Sequence, residues 1–202
     1  VMLQLNNDEL ILSQLLVGAD GVNSFVRQHM QLPLTHWDYQ HTAIVAKIRC
    51  TEAHQLTARQ VFLETGPLAL LPLPEPDLCS IVWSAETAEA KRLMALDNTA
   101  FEQALCAASQ AVLGPVTLQS ERQAFGLTMR YASRWQRGRV VLVADAAHSI
   151  HPLAGQGMNL GLMDVTALAQ LISEQQAAGE DIAATKMLRR FERWRKAEAQ
   201  SM

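Results

Sequence analysis

The segment 138–164, GRVVLVADAAHSIHPLAGQGMNLGLMD, decides how this chain is read. Arg139–Val143 reads as a buried strand, because Val140-Val141-Leu142-Val143 lacks polar alternation. Asp145 stands just past the carboxyl end of that strand. A proline-containing loop leads to Gly155-Gln156-Gly157, and a helical pattern follows. Its apolar positions Leu160, Met163, Ala167, Leu168, Leu171 and Ile172 share one face. In open α/β sheets, ligands bind outside the carboxyl ends of the strands. A glycine-flanked helix start offers free backbone N–H groups and the positive end of the helix dipole. The segment alone therefore implies a binding site with one carboxylate acceptor and several amide donors.

Working outward, Leu15–Gly18 reads as a second short buried strand, ending at Asp20-Gly21. Taken alone, that Asp-Gly pair is equally an ordinary tight turn. Val22–Met30 reads as one or two helical turns, stopped by Pro33. Val1–Leu5 and Glu9–Leu12 read as a hairpin turning at Asn6-Asn7-Asp8. Tyr39–Cys50, Arg59–Glu64, Leu68–Leu73 and Leu78–Ser84 read as consecutive strands with short turns, hence an antiparallel sheet. Thr87–Leu96 and Asn98–Val112 read as helices, and Val116–Ala124 as a further strand. The pattern predicts α/β architecture with an inserted α+β domain. Residues 1–33 and 135–202 form one domain, and residues 34–134 form the insertion.

The final helix, Asp181–Met202, carries an apolar stripe of Ala184, Met187, Leu188, Phe191 and Trp194. Lys186, Arg189, Arg190, Arg193, Arg195 and Lys196 crowd the rest. This reads as a docked helix with a solvated basic face, in preference to a membrane-surface or anionic-partner contact.

Composition narrows the class. A formal net charge of −3 over 202 residues argues against general nucleic-acid binding. No apolar run approaches the ~18 residues of a membrane span, and no signal-peptide pattern opens the chain. Cys50, Cys79 and Cys106 are far apart and form no C-x-x-C, which suits reduced thiols and a cytoplasmic location. His148-x-x-His151 lacks a third ligand in a suitable pattern, so no metal is expected. His148 is expected to hydrogen-bond within its own loop. Ser24 sits in no G-x-S-x-G elbow, so no hydrolase is expected.

Two motifs carry a family resemblance. G-R-V-V-L-V-A-D-A-A-H-x-x-x-P-x-x-G-Q-G-x-N-x-G-x-x-D resembles the second flavin fingerprint of the class A FAD-dependent aromatic hydroxylases, which share the para-hydroxybenzoate hydroxylase fold. Gly18-Ala19-Asp20-Gly21-Val22-Asn23-Ser24-Phe25-Val26-Arg27 resembles their D-G motif, and it precedes the first motif in the chain as it does in the family. Trp37–Gln40 and Phe62–Trp83 are similar to the ubiquinone-biosynthesis hydroxylases, and most of all to the 2-octaprenylphenol hydroxylase branch.

The resemblance implies an FAD-binding Rossmann-like domain fragment with an inserted antiparallel-sheet substrate domain. It implies an FAD-dependent monooxygenase hydroxylating a prenylated phenol, with NAD(P)H or a reductase as electron donor and O2 as co-substrate. Implied cofactor-binding residues are Asp20, Gly21, Arg27, Asp145, Pro152, Gly155, Gln156, Gly157, Met158 and Asn159; no side chain is implied as catalytic. Asp145 would accept from a ribityl hydroxyl, and the Met158 and Asn159 N–H groups would face the flavin's pyrimidine end. The family usually has Gly where Ala144 stands. No G-x-G-x-x-G occurs, so the chain is expected to be an internal fragment lacking the N-terminal ADP-binding unit and inactive alone. The apolar strands Ile44–Ile48, Leu68–Leu73 and Ile81–Trp83 are expected to wall a substrate pocket. The implied partners are a small prenylated phenol, a ubiquinone-biosynthesis complex and a peripheral contact at the inner membrane, with no nucleic acid. The alternatives are a non-catalytic remnant or scaffold subunit of the fold, and an FAD-dependent reductase or halogenase.

Overall fold

The computed structural model describes residues 1–149 and 156–200. The chain divides into two compact units, residues 1–37 with 128–202 and residues 38–127. The first unit thus takes in residues 34–37 and 128–134 beyond the segments the sequence assigns to it.

In the first unit, β1 (Met2–Gln4) and β2 (Leu10–Leu12) form the hairpin at the start of the chain. Strand β3 (Leu16–Gly18) lies parallel to β11 (Val140–Leu142), with Val140 opposite Leu16 and Leu142 opposite Gly18. On the other side of β11, β10 (Gln136–Arg137) runs antiparallel to it. Val140 to Val143 are all buried, as an apolar run without alternation requires. Because β3 and β11 are parallel and in register, the loops bearing Asp20 and Asp145 leave the same edge of this small sheet.

Helix α1 (Phe25–His29) follows β3, and α4 (Gln156–Ala177) and α5 (Thr185–Gln200) close the unit. Leu160, Leu168 and Leu171 of α4 pack with Met187, Leu188 and Phe191 of α5, around Trp135 and Leu142. Two sequence assignments shift here. On α4 the buried stripe runs through Asp164, while Met163 is 43% exposed. On α5 Arg195 faces the core and Trp194 faces outward, its indole N–H donating to Glu198 at 2.7 Å. Hydrophobicity alone assigns the arginine to water; a buried carboxylate on the facing helix reverses that choice.

The second unit holds β4, which starts in the first unit and spans Leu34–Cys50, with β5 (Arg59–Leu63), β6 (Gly66–Pro72) and β7 (Leu78–Glu86). They lie antiparallel in the order β4-β7-β6-β5. The expected strand Val116–Ala124 divides into β8 (Val116–Leu118), paired with β4, and β9 (Gln123–Ala132), which runs on into the first unit. Helices α2 (Thr87–Ala95) and α3 (Asn98–Ala108) cover one face of the sheet. Helix α3 stops short of Val112 because Gln110 and Ala111 both take positive φ.

The period-two alternation of β4 decides which face is covered. Ile44, Ala46, Ile48, Leu68, Leu70, Ile81 and Trp83 form the core under α2 and α3, with Phe101 and Leu105. These side chains are sealed under the helices, so only the other face of these strands is left to wall a substrate pocket. The opposite face presents the row Val45, Val82 and Ala69, which are cross-strand partners and half-buried. Among the described residues no helix is long and apolar enough to cross a membrane.

Candidate functional site

The two sequence motifs are tied together by hydrogen bonds. Ser24 caps α1, its hydroxyl accepting from the Arg27 N–H at 2.9 Å and donating to Asp20 Oδ1 at 2.5 Å. Asp20 Oδ2 accepts from the Val26 N–H at 3.0 Å. Burial opposes the Asp20 charge, but these hydrogen bonds outweigh it and hold the carboxyl below its usual range. Arg27 is buried, which lowers its pKa, although Asp20 acts in the opposite sense. Its Nη1 donates to the Ala146 carbonyl at 2.9 Å and its Nη2 to Val22 O at 2.8 Å. Arg27 therefore joins the Asp20 loop to the Asp145 loop, and Asp20 is engaged mainly with its own helix start. Gly21 takes φ +80 in that turn, with open space where a Cβ would be.

Beyond β11 the chain makes a 3-10 turn, Ala144–Ala146, and then the short strand β12 (His148–Ser149). Asp145 is exposed, and its one contact among the described residues is a 3.4 Å approach from Ser149 Oγ. Among the described residues nothing else occupies its acceptor positions. A groove of about 350 Å³ opens beside it, lined by Ala144, Asp145, Gly157, Met158, Gly161, Leu162 and Val165. Met158 is 74% exposed and Asn159 is also exposed, both in the first turn of α4, where N–H groups have no intrahelical acceptor. Pro152 and Gly155 lie outside the described residues, as do His151 and the side chain of Gln156.

A mostly apolar groove with one free carboxylate and the start of a long helix suits a flat, partly polar ring system. Its fit to a flavin rests on the chemistry of these donors and acceptors. Asp145 can accept from a polyol hydroxyl, and the Gly157–Asn159 N–H groups can meet negative charge on a ring. Gly157 leaves open space where a side chain would otherwise stand.

Behind the groove lies a cluster that sequence reading missed. Asp164 is fully buried and accepts three hydrogen bonds: from Ala144 N at 2.9 Å, His148 Nε2 at 2.6 Å and Arg195 Nε at 2.7 Å. Burial works against its charge, but His148, Arg195 and the Ala144 N–H prevail and lower its pKa. His148 thus reaches across to α4 instead of bonding within its loop, and it stacks on Trp135 with ring centroids 4.7 Å apart. One carboxylate thereby holds the chain on both sides of Asp145 against α4. The G-x-x-D ending of the motif placed Asp164 in view, but nothing local signals a partner 31 residues on.

Ala144 bears a cost the sequence hinted at. Its φ is +52, the left-handed region that disfavours a Cβ. A Cβ built on Gly161 would come within 2.8 Å of the Ala144 Cβ, so the helix passes the turn closely only because position 161 is glycine. Ala144→Gly is expected to stabilise the first unit by about 1 kcal/mol. A urea titration checks this, and a midpoint unchanged or lowered contradicts the strain.

A family model described as an FAD binding domain matches residues 2–202. Among curated proteins, the chain is 34% identical over 227 residues to the mitochondrial ubiquinone biosynthesis monooxygenase COQ6 of Xenopus tropicalis, covering 95% of this chain and 48% of that protein. It is 35% identical over 196 residues to the 3-demethoxyubiquinol 3-hydroxylase of Escherichia coli (strain K12), covering 97% and 50%. The chain spans about half the length of these relatives. Among solved structures, PqsL, a probable FAD-dependent monooxygenase from Pseudomonas aeruginosa, matches with a TM-score of 0.80 at 24% identity, over 99% of this chain and 56% of that one. A ternary complex of aklavinone-11 hydroxylase with FAD and aklavinone matches at 0.66 and 22%, over 85% and 33%. At those identities the structural likeness is one of fold, and it agrees with the mixed architecture the sequence predicts. With nearly every residue matched, the chain belongs to the FAD-binding-domain family.

Proposed function

We propose that the full-length protein is an FAD-dependent monooxygenase that hydroxylates a prenylated phenol in ubiquinone biosynthesis. The observation that carries this reading is the free Asp145 carboxylate in an apolar groove with the first turn of α4. The ubiquinone-biosynthesis hydroxylases among its relatives support the substrate class. FAD, when bound, supplies the oxygen-activating chemistry. NAD(P)H or a reductase provides two electrons, one oxygen atom of O2 enters the ring, and the other leaves as water.

The chain's own residues bind and orient. Asp145 holds a cofactor hydroxyl, and the Gly157–Asn159 N–H groups favour a negatively charged ring; a helix start contributes about 0.3–1 kcal/mol to such a charge at an exposed site. Arg27 and Asp164 keep the two loops in place. Asp20 and Gly21 shape the first loop. The substrate wall in the second unit is the face bearing Val45, Ala69 and Val82, opposite the one packed under α2 and α3. A prenyl tail gains about 0.8 kcal/mol per buried CH2, so the tail can carry affinity while the ring stays free to react. Such a substrate places the enzyme at the surface of the inner membrane on its cytoplasmic side.

The test is turnover by the flavin-loaded full-length protein of a prenylated phenol against para-hydroxybenzoate, with NAD(P)H or a reductase supplied. The prenylated phenol is expected to react faster. Faster reaction of para-hydroxybenzoate overturns the lipid-quinone assignment. No turnover of either substrate points to a non-catalytic member or to reductase or halogenase chemistry.

A further inference from the structure

The turn Ser133–Gly138 and the outer side of α5 enclose a cavity of about 460 Å³ that contains none of the residues assigned above to flavin or substrate. Arg134, Arg137, Arg189 and Arg193 line it, with Gln136, Thr185 and Glu192. Its walls are tied together from within. Glu192 accepts from the Trp135 N–H at 2.9 Å and from the Gln136 side-chain amide at 3.3 Å, and pairs with Lys196 at 2.7 Å. The fully buried Trp135 anchors the turn between Arg134 and Gln136. The one acidic side chain in the lining is therefore already occupied.

Among the described residues, three of the four arginines are not. Arg137 donates through Nη1 to the Met30 carbonyl at 2.9 Å. Arg134, Arg189 and Arg193 have no hydrogen-bond or ion-pair partner among the described residues. Arg189 and Arg193 are one turn apart on α5, a spacing at which like charges repel. Most other arginines with exposed side chains are paired, Arg49 with Glu75 and Asp77, Arg92 with Glu89, Arg139 with Asp181 and Arg190 with Glu174, although the half-buried Arg130 has no side-chain partner among the described residues. In a chain of net charge −3, unpaired guanidinium groups gathered around one preformed concavity stand out from this pattern.

We propose that this cavity binds a phosphate-bearing anion. Guanidinium groups match phosphate in a two-bond fork, and a multiply charged phosphate answers several of them where a single carboxylate answers one. The volume has room for a phosphorylated head group larger than phosphate itself. A localised cavity differs from the extended basic stripe of a nucleic-acid binder. The proposal is independent of the flavin reading and is tested on the chain itself.

The source of the phosphate separates two arms. One titrates inorganic pyrophosphate by calorimetry; the other measures co-sedimentation with phosphatidylcholine vesicles with and without phosphatidylglycerol. Both run at physiological salt, where the screening length is about 8 Å and diffuse attraction is weak. The double substitution Arg189→Gln with Arg193→Gln is compared with Lys186→Gln with Arg190→Gln, which removes equal charge from the same helix outside the cavity. Circular dichroism checks that both variants fold. Saturable binding is expected, weakened about tenfold or more by the first pair and little changed by the second. Binding of pyrophosphate alone supports a free phosphorylated ligand, and selective binding of phosphatidylglycerol vesicles supports a lipid head group. The proposal is overturned by absence of saturable binding in both arms, or by equal weakening in the two variants, the mark of unspecific charge.

Discussion

Replacing Asp164 by alanine is expected to destabilise the first unit by about 3–5 kcal/mol, the usual loss when one partner of a buried ion pair is removed. The variant takes from Arg195, 1% exposed, its buried carboxylate partner and leaves it only the pairing of Nη1 with the partly exposed Glu198, while Nη2 already lacks a partner among the described residues. His148 and the Ala144 N–H lose their acceptor in the same step. Against a typical total stability of about 5–15 kcal/mol, this loss is large. Urea unfolding followed by tryptophan fluorescence measures it, since Trp135 stacks on His148. Arg92→Ala, which removes only an exposed pair, serves as the control and should cost about 0.2–1 kcal/mol. A loss for Asp164→Ala no larger than the control contradicts the assigned cluster. The pH dependence has a definite sign. The folded Asp164 pKa is lowered, so its contribution is fully present above the unfolded value near ~3.9 and is lost as pH falls through the folded value. The gap between wild type and variant should therefore narrow below about pH 4.

Asp145→Ala in the full-length protein is expected to weaken FAD binding about ten- to a hundredfold while leaving the fold intact. It removes a hydrogen bond from a charged acceptor, worth about 1.5–3 kcal/mol. The residue is exposed and makes one long hydrogen bond among the described residues, so its loss is expected to cost the fold little. Asp20→Ala should behave in the opposite way. That carboxylate accepts from Ser24 and the Val26 N–H, so its removal lowers the thermal midpoint by loosening the start of α1. FAD fluorescence quenching gives the affinity and thermal unfolding the stability. Unchanged affinity in Asp145→Ala moves the cofactor contact to another residue.

Reading α4 shows where local pattern runs out. Leu160, Ala167, Leu168 and Leu171 were visible as a buried stripe from their spacing, and the structure buries all four. Asp164 lies on that stripe but was passed over for Met163, because an isolated carboxylate has no reason to be buried. Its reason is Arg195, which a helix-face count in turn sends to solvent. Each residue looks misplaced until the other is known. Which face of the inserted sheet is open to a substrate was illegible for a different cause. Apolar character marked Ile44, Leu68 and Ile81 as interior, but it does not say whether a helix or a ligand covers them. Helices α2 and α3 occupy that face.

By itself the sequence determined the elements and the two motif loops. The apolar Val140–Val143 run reads as a buried strand, Leu15–Gly18 as a second one ending at Asp20-Gly21, and alternation along Ile44–Cys50 sets one face of β4 inward. These are properties of neighbouring residues, and backbone periodicity reads them out. Only the tertiary structure decided that Arg27 reaches Ala146, that Asp164 binds Ala144, His148 and Arg195, and that four arginines from a turn and a helix surround one cavity. Those pairings depend on packing of segments distant in the chain. Charge and hydrogen-bond satisfaction inside the fold select them, and no spacing in the sequence encodes that selection.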